Sequence, residues 1–175
     1  MIITLILALF GVTEQSLVWT DHEMAFAVRF DASEWIYTQS EDSLHLTHQS
    51  LDGLELSVTV RSSDPADPSL ADLAKQTLYR KGERQAAAVT QEHNLGPGEL
   101  KSMNADEGYY YEGVYGPDME PISVRVLVLK RSGRILIAEG DFPGTEKQNS
   151  YSWRKCQEAL NIVWQTISGA GKVKK

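Results

Sequence analysis

The side chains best suited to acid–base or metal chemistry in this chain are its four histidines. His45 and His48 lie three residues apart in a predicted strand, so they point to opposite faces and cannot bind one metal ion together. His22 and His93 belong to distant segments, and either one can join a carboxylate only through the fold. The simpler interpretation is that all four are surface histidines. The alternative is a site that the fold assembles from His22 or His93 and a nearby carboxylate, Asp21, Glu23 or Glu92.

No motif of a known catalytic class accompanies these histidines. The sequence has no G-x-S-x-G elbow of a serine hydrolase, no H-E-x-x-H zinc helix and no C-x-x-C pair. Its single cysteine, Cys156, cannot form an internal disulfide. Cys156 falls on the apolar stripe of a predicted helix, where a thiol behaves as a small hydrophobic group. We therefore predict no catalytic residue, no metal site and no cofactor.

Three tyrosines form the first of two candidate binding surfaces. Tyr109, Tyr111 and Tyr115 share one face of a predicted strand, and Gly113 leaves a gap between them that can admit a ligand or a partner backbone. Tyrosine combines apolar area with a polar tip and recurs at interfaces for that reason. The alternative is that a helix covers this face and the hydroxyl groups reach its rim.

Three basic residues form the second candidate binding surface. Lys130, Arg131 and Arg134 surround the turn at Ser132-Gly133, which predicts a basic hairpin tip on an acidic protein. Such a tip can bind an anionic partner or membrane headgroups. The alternative is a solvated hairpin end without a binding role.

The strand pattern that positions these residues is strongest between Glu107 and Asp141. Aromatic and β-branched residues separated by turn residues predict three consecutive antiparallel strands. These are Glu107–Tyr115, Ile122–Lys130 and Arg134–Asp141. Alternating residues predict further strands near residues 24–30, 35–37, 44–48 and 54–61, with a weaker one at 86–92. In the strand at 54–61 we expect Leu54, Leu56, Val58 and Val60 to face inward.

Two amphipathic helices complete the expected fold. The first begins near Ser69 and ends at Gly82, and the second runs from Glu146 to Ser168 with apolar residues at steps of three and four. Gly96-Pro97-Gly98 is expected to interrupt the chain between strands. Thr145 and Gln148 have the spacing of a capping box. Together these elements predict an α+β domain, a mainly antiparallel β-sheet with helices packed on its faces.

Length, composition and charge limit the class of protein. With 175 residues and 42% hydrophobic content, the chain suits one domain, which we place at residues 17–170. A net charge of −7 disfavours a nucleic-acid surface, which needs clustered Lys and Arg. Residues 171–175 are predicted to be a flexible basic tail.

The N-terminus carries a signal for the cellular compartment. Residues 1–12 form an uncharged apolar run that fits a secretory signal peptide and is shorter than the ~20 residues of a membrane span. We predict a signal peptide at residues 1–16, cleaved between Gly11 and Ser16, and a periplasmic or secreted protein without a stable membrane span. The alternative is a cytoplasmic protein in which this run is a strand or a core helix.

The first predicted strands carry a family resemblance. Trp19-Thr20-Asp21 is followed by the strand Met24–Phe30 and then by Trp35. This opening resembles that of the PsbP-like proteins, in which an aromatic-x-Asp sequence precedes a strand that ends near a tryptophan. Where that family usually has a proline before the tryptophan, this chain has Asp31-Ala32-Ser33. The later elements follow the family order, with the helix at Ser69-Leu70, the strand Ala105–Tyr111 and the helix Trp153–Ile167.

The resemblance implies an α/β/α sandwich. This fold is shared by the extrinsic PsbP subunit of photosystem II, a Ran-binding nuclear transport factor and many exported bacterial proteins, which are binding and assembly proteins. A fold with such different roles does not by itself identify one of them. We expect an exported, non-enzymatic module that binds a protein partner or contributes to envelope assembly. The alternatives are a small-ligand carrier with a tyrosine-lined groove and a hydrolase built from scattered His and Asp/Glu side chains; the partner's identity and the oligomeric state stay open.

Overall fold

The computed structural model describes residues 15–81, 87–116, 120–145 and 151–170. Within these ranges the chain forms ten strands and three helices. In chain order they are β1 (Ser16–Thr20), β2 (Phe26–Asp31), β3 (Trp35–Gln39), β4 (Ser43–His48), β5 (Glu55–Ser62), α1 (Leu70–Lys81), β6 (Ala87–Asn94), α2 (Pro97–Met103), β7 (Glu107–Tyr115), β8 (Ile122–Arg131), β9 (Arg134–Pro143), α3 (Tyr151–Trp164) and β10 (Ser168–Gly169).

The large sheet is antiparallel and has seven strands in the described ranges, in the order β3-β4-β5-β9-β8-β7-β6. The predicted meander is confirmed as β7, β8 and β9, and the last two strands extend to Arg131 and Pro143. Ser132 and Gly133 adopt positive φ angles of 49° and 76°, which form the tight turn between β8 and β9. The residues predicted to open the β7–β8 connection include Pro117 and Asp118, which lie outside the described residues.

One face of the large sheet packs on α1. Val124, Val126 and Val128 of β8 form a core there with Leu73 and Ala74 of the helix. Ser69 caps the N-terminus of α1, because its hydroxyl accepts a 3.1 Å bond from the Asp72 amide. Gly82, the predicted end of this helix, lies outside the described residues.

The opposite face packs on α3 and on a small sheet of β1, β2 and β10. Leu127 and Leu129 of β8 face this layer, so β8 is covered on both sides. The result is an α+β fold in which the large sheet lies between α1 on one side and the layer of α3 and the small sheet on the other. The side chains that fill this second core include Phe26, Val28, Trp35, Leu46, Leu56, Trp153, Cys156 and Leu160.

Three local expectations need correction. The strand near residues 24–30 belongs to the small sheet, and it starts at Phe26 because Met24 adopts a left-handed φ of 53°. The last helix ends at Trp164 and not at Ser168, because Ser168 pairs with Ala27 of β2. Gly96-Pro97-Gly98 opens helix α2, with Pro97 in its first turn.

Several predicted features fall outside the described residues. These are residues 1–14 of the predicted signal peptide, the helix start at residues 146–150 and the tail at residues 171–175. The last predicted signal-peptide residue, Ser16, is the first residue of β1. Among the described helices, none combines the length and apolar character that a membrane crossing requires.

Candidate functional site

Helix α1 leaves part of its sheet face uncovered. It packs on β7, β8 and β6, and in the described ranges no helix packs on the same side of β3, β4 and β5. We call this uncovered area the open face. Its residues lie in cross-strand rows, of which the central one is Thr38, His45, Ser57 and Glu139. The neighbouring rows contribute Ile36, Thr47 and Glu55 on one side, and Ser43, Thr59 and Ile137 on the other.

The open face contains two adjoining shallow grooves. One, of about 260 Å³, lies over β3, β4 and β5 around His45. The other, of about 470 Å³, lies between β5, β9 and the edge of α1, where Leu73, Thr77 and Arg80 border it. Ser57 and Thr59 line both grooves, so the two form one polar depression.

A histidine and a serine meet in this depression. His45 Nδ1 lies 2.9 Å from Ser57 Oγ, because the two residues are direct cross-strand partners on β4 and β5. The second ring nitrogen of His45 lies 3.4 Å from the Thr47 hydroxyl. A serine nucleophile needs a base that a third group holds in position, usually a carboxylate. The described contacts of His45 supply a hydroxyl group in that place.

Side chains of both positive and negative charge border the depression. Arg61 at one end donates two bonds to Asp67, at 2.9 and 2.8 Å. The Arg61 guanidinium and the Asp64 amide hold the pKa of Asp67 below its usual value. Arg80 is exposed on α1, and Glu139 lies on the sheet beside Ser57. This mixture of hydroxyl, cationic and anionic groups suits a polar partner surface better than a uniformly charged ligand.

The predicted tyrosine surface lies under α1. Tyr109 is 6% exposed and Tyr111 is fully buried, and Leu73 and Ala74 of α1 belong to the same core. The Tyr109 hydroxyl donates a 2.6 Å bond to Glu92. Burial raises the pKa of both tyrosines to about 12. A ligand at these two positions would have to displace the helix.

Tyr115, the third predicted tyrosine, lies at the end of β7 and is partly exposed. Its hydroxyl group points to Asp141 Oδ2 at 3.5 Å. Gly113, which was expected to open a gap in the tyrosine row, is buried. Tyr115 packs at the margin of the same core as the two tyrosines that α1 covers.

Lys130 and Arg131, two residues of the predicted basic tip, are partly exposed. The Lys130 ammonium lies 3.5 Å from the Glu107 carboxylate. The Arg131 guanidinium donates a 2.8 Å bond to the Asn104 carbonyl. Binding of an anionic partner or of headgroups at these two residues stays a prediction.

Arg134 does not belong to an exposed basic tip. Its side chain is 7% exposed and lies among three carboxylates, at 2.7 Å from Asp42, 3.3 Å from Glu23 and 3.7 Å from Asp21. Arg134 is the first residue of β9. The acidic loop that joins β1 to β2 and the acidic loop that joins β3 to β4 meet beside its side chain. The sequence predicted this guanidinium group at the surface, but it forms ion pairs inside the protein.

The contacts of His22, His93 and Cys156 are structural. His22 lies 3.8 Å from Glu41 and His93 lies 3.5 Å from Glu99, so neither pairs with the carboxylate neighbours proposed from sequence. Cys156 is buried as predicted, and burial raises the pKa of its thiol. Across the described residues, no three His, Cys, Asp or Glu side chains are grouped to hold a metal ion.

The architecture is similar to that of proteins of known structure. No sequence-family model and no curated protein matches the chain. The solution structure of cyanobacterial PsbP (CyanoP) from Synechocystis sp. PCC 6803 is similar with a TM-score of 0.62 and 10% identity, over 93% of this chain and 97% of that chain. A structure of a mutant of the protein Mog1 is similar with a TM-score of 0.56 and 8% identity, over 90% of this chain and 97% of that chain.

The chain has a PsbP-like fold. The structural similarity confirms the α/β/α arrangement that the sequence resemblance implied, and at these identities it concerns the fold alone. In this PsbP-like domain the aromatic-x-Asp segment has a structural role. The Trp19 indole donates to the Ser40 carbonyl at 3.1 Å, and the Asp21 carboxylate accepts a 2.7 Å bond from the Phe26 amide. The segment therefore ties the small sheet to the β3–β4 turn.

Proposed function

We propose that this chain is an exported, non-enzymatic module that binds a protein partner through the open face. The observation that carries the proposal is the uncovered half of the sheet, with its shallow polar depression beside α1. Protein interfaces combine hydrogen-bonding groups with apolar contacts. Here Ile36, which is 61% exposed, and the partly buried Ile137 lie on either side of the polar central row, and their cross-strand partners include Thr47 and Thr59. A groove of this open shape offers little enclosure to a small ligand.

The small-ligand carrier is the weaker alternative. It relied on a tyrosine-lined groove, and α1 covers that face at Tyr109 and Tyr111. The open face has no equivalent aromatic lining. A protein partner therefore fits the available surface better than a small apolar ligand.

Site-specific photo-crosslinking tests the binding surface. A photoreactive amino acid replaces Thr59 on the open face, and Arg154 on α3 serves as the matched exposed control on the opposite side of the molecule. In the native host, we expect one discrete protein adduct from position 59 and none from position 154. The same adduct from positions 59 and 154 would contradict the proposal. So would the absence of any adduct when the photoreactive residue replaces Thr38, Thr47 and Thr59 of the open face in turn.

Export is tested separately, by fractionating the host and sequencing the N-terminus of the recovered protein. We expect a chain that begins between residues 12 and 17 in the extracytoplasmic fraction, since the apolar run at residues 1–12 fits a signal peptide. A cytoplasmic protein that retains Met1 would overturn this part of the proposal and leave the binding surface untouched.

A hydrolase is the second candidate, because Ser57 and His45 lie 2.9 Å apart in a groove. A fluorophosphonate probe forms a covalent bond with an activated serine and distinguishes the two functions. We expect no labelling of the wild-type protein, since the described contacts of His45 replace the orienting carboxylate with the Thr47 hydroxyl. Labelling that disappears in the Ser57→Ala variant would establish a nucleophilic serine and refute the non-enzymatic proposal.

A further inference from the structure

The large sheet has two edge strands in the described ranges, β3 and β6, and they differ in their protection. Edge strands expose unpaired N–H and C=O groups, and proteins usually protect them with charges, prolines or bulges. Strand β6 has a register shift between Val89 and Gln91, and its Glu92 forms an ion pair with Lys75. Strand β3, Trp35–Gln39, contains no charge and no proline, and its pairing with β4 runs in continuous register.

The hydrogen-bonding pattern shows which groups of β3 face outward. The Ser40 amide donates to the Ser43 carbonyl, and the Gln49 amide donates to the Glu34 carbonyl, both at 2.8 Å. These two bonds bracket the β3–β4 ladder. Because bonded pairs alternate in an antiparallel ladder, Ile36 and Thr38 bond to β4. The N–H and C=O groups of the residues between and beside them point away from β4, and these residues are Trp35, Tyr37 and Gln39.

We propose that the outward edge of β3 pairs with β3 of a second copy of this chain. A twofold axis at Tyr37 places Tyr37 opposite its own copy and Trp35 opposite Gln39 of the copy. This antiparallel register uses all the outward-facing backbone groups of both strands in direct hydrogen bonds. In an isologous contact residue i faces residue j of the copy and j faces i, so a charge at the axis position Tyr37 would face itself and a charge elsewhere in β3 would occur twice in the short seam. The uncharged sequence of β3 removes that cost.

The side chains of β3 support the same register. Ile36 is 61% exposed on the open face, and in the dimer it lies beside Thr38 of the second copy. Tyr37 is 41% exposed on the other face, where its ring packs on Phe30 at a centroid distance of 5.3 Å. The two copies of Tyr37 become neighbours there. Pairing joins the two large sheets into one and brings the two open faces side by side.

The charge of the chain predicts how this dimer responds to salt. Each copy carries a net charge of −7, so the two copies repel each other at low ionic strength. Salt screens this repulsion, since the Debye length falls from about 30 Å at 0.01 M to about 8 Å at 0.15 M. Dimerisation should therefore strengthen as salt concentration rises, opposite to an association driven by opposite charges.

Sedimentation equilibrium of the protein as recovered from its host tests the proposal. We expect a concentration-dependent dimer and at least ~10-fold weaker association of the Tyr37→Lys variant, because the lysines would face each other across the axis. The Tyr37→Pro variant should behave likewise, since it removes an outward N–H without removing a β3–β4 bond. Val89→Lys, on the β6 edge, is the matched control and should leave the dimer unchanged. Circular dichroism checks that each variant folds.

A disulfide then tests the register. In the twofold arrangement, Ile36 and Thr38 of opposite copies form a non-hydrogen-bonded pair with Cα atoms about 4.5 Å apart, within the range that a disulfide accepts. The Ile36→Cys, Thr38→Cys double variant should therefore give a covalent dimer on mild oxidation, while Cys156 is buried and does not compete. A wild-type chain that stays monomeric at every concentration and salt level would overturn the proposal. So would a dimer that Val89→Lys disrupts and the Tyr37 variants do not.

Discussion

Replacing Arg134 with methionine separates a structural role from a surface role for this residue. Methionine keeps most of the side-chain volume and removes the guanidinium group. In the wild-type protein that group lies 2.7 Å from Asp42, 3.3 Å from Glu23 and 3.7 Å from Asp21. The Arg134 side chain is 7% exposed, so the substitution changes an interior contact.

The expected loss follows from what happens to each carboxylate. Glu23 and Asp42 have side chains 55% and 43% exposed, and they can turn to water. Asp21 is fully buried and keeps bonds only from the amides of Phe26 and Glu23 among those described. Removing one partner of a buried ion pair costs about 3–5 kcal/mol. Because two of the three carboxylates can be solvated, we expect the lower end, about 3 kcal/mol, or about 6–12 °C in Tm for a domain of this size.

Urea unfolding followed by circular dichroism measures this change. The Lys130→Ser and Arg131→Ser variants are the controls, and each should change the unfolding free energy by no more than about 0.5 kcal/mol, because both side chains are partly exposed. Adding Asp21→Asn to Arg134→Met should recover part of the loss, since it removes the unpaired charge. If Arg134→Met lowers the free energy of unfolding no more than Arg131→Ser does, the buried-pair argument is wrong and Arg134 belongs to an exposed basic tip.

Three further predictions concern pH and packing. Burial raises the pKa of Tyr109 and Tyr111 to about 12; the stability that these two groups contribute is then fully present below pH ~10 and is lost as the pH rises toward about 12, and Tyr→Phe variants should remove the corresponding absorbance change at alkaline pH. Burial lowers the pKa of His48, so protons favour the unfolded state below pH ~6.5, and His48→Gln should flatten the loss of stability as the pH falls below ~6.5, measured by urea titrations. Gly140→Ala would place a Cβ 2.8 Å from a methyl group of Leu160 in α3; we expect a loss of about 1–3 kcal/mol in the same assay, and no loss would show that the Leu160 side chain can adjust to the added methyl group.

Local patterns predicted the strands that have one covered face. In β5, Leu56 and Val58 are buried while Thr59 is exposed, as the alternation indicated. Burial selects the residue type at every second position, so the sequence records which face is covered. Strand β8 carries apolar residues on both faces, and the structure covers both of them.

Long-range pairing was beyond the same reasoning. The alternation in β2 resembles that in β5, yet β2 pairs with β1 and β10 in a separate sheet. Ile167 continues the helical spacing of α3, but the helix ends because Thr166 bonds to the Arg29 backbone and the next residues pair with β2. Nothing local in the sequence distinguishes these partners.

The candidate site depended on such pairings. The alternation in β5 places Ser57 on the face opposite Leu56 and Val58, but the contact of Ser57 with His45 needs the β4–β5 register. Gly53, with a φ of 75°, forms part of the turn that sets this register. The contact of Arg134 with Asp21 joins two distant segments, so composition around the turn suggested a basic surface instead.

The open face follows from the dimensions of one helix on a wide sheet. Six spacings of about 4.8 Å make the seven-stranded sheet about 29 Å wide, whereas a helix is about 10 Å across. In the described ranges α1 alone packs on this side, so it covers the strands around β7 and β8 and leaves β3, β4 and β5 in water. The side chains match this limit, because Val124, Val126 and Val128 lie beneath the helix and Ser57 and Thr59 lie beyond it. An apolar face there would expose a large adhesive patch. The hydroxyl and charged side chains of the open face can instead form hydrogen bonds with water, so the uncovered half of the sheet does not expose such a patch.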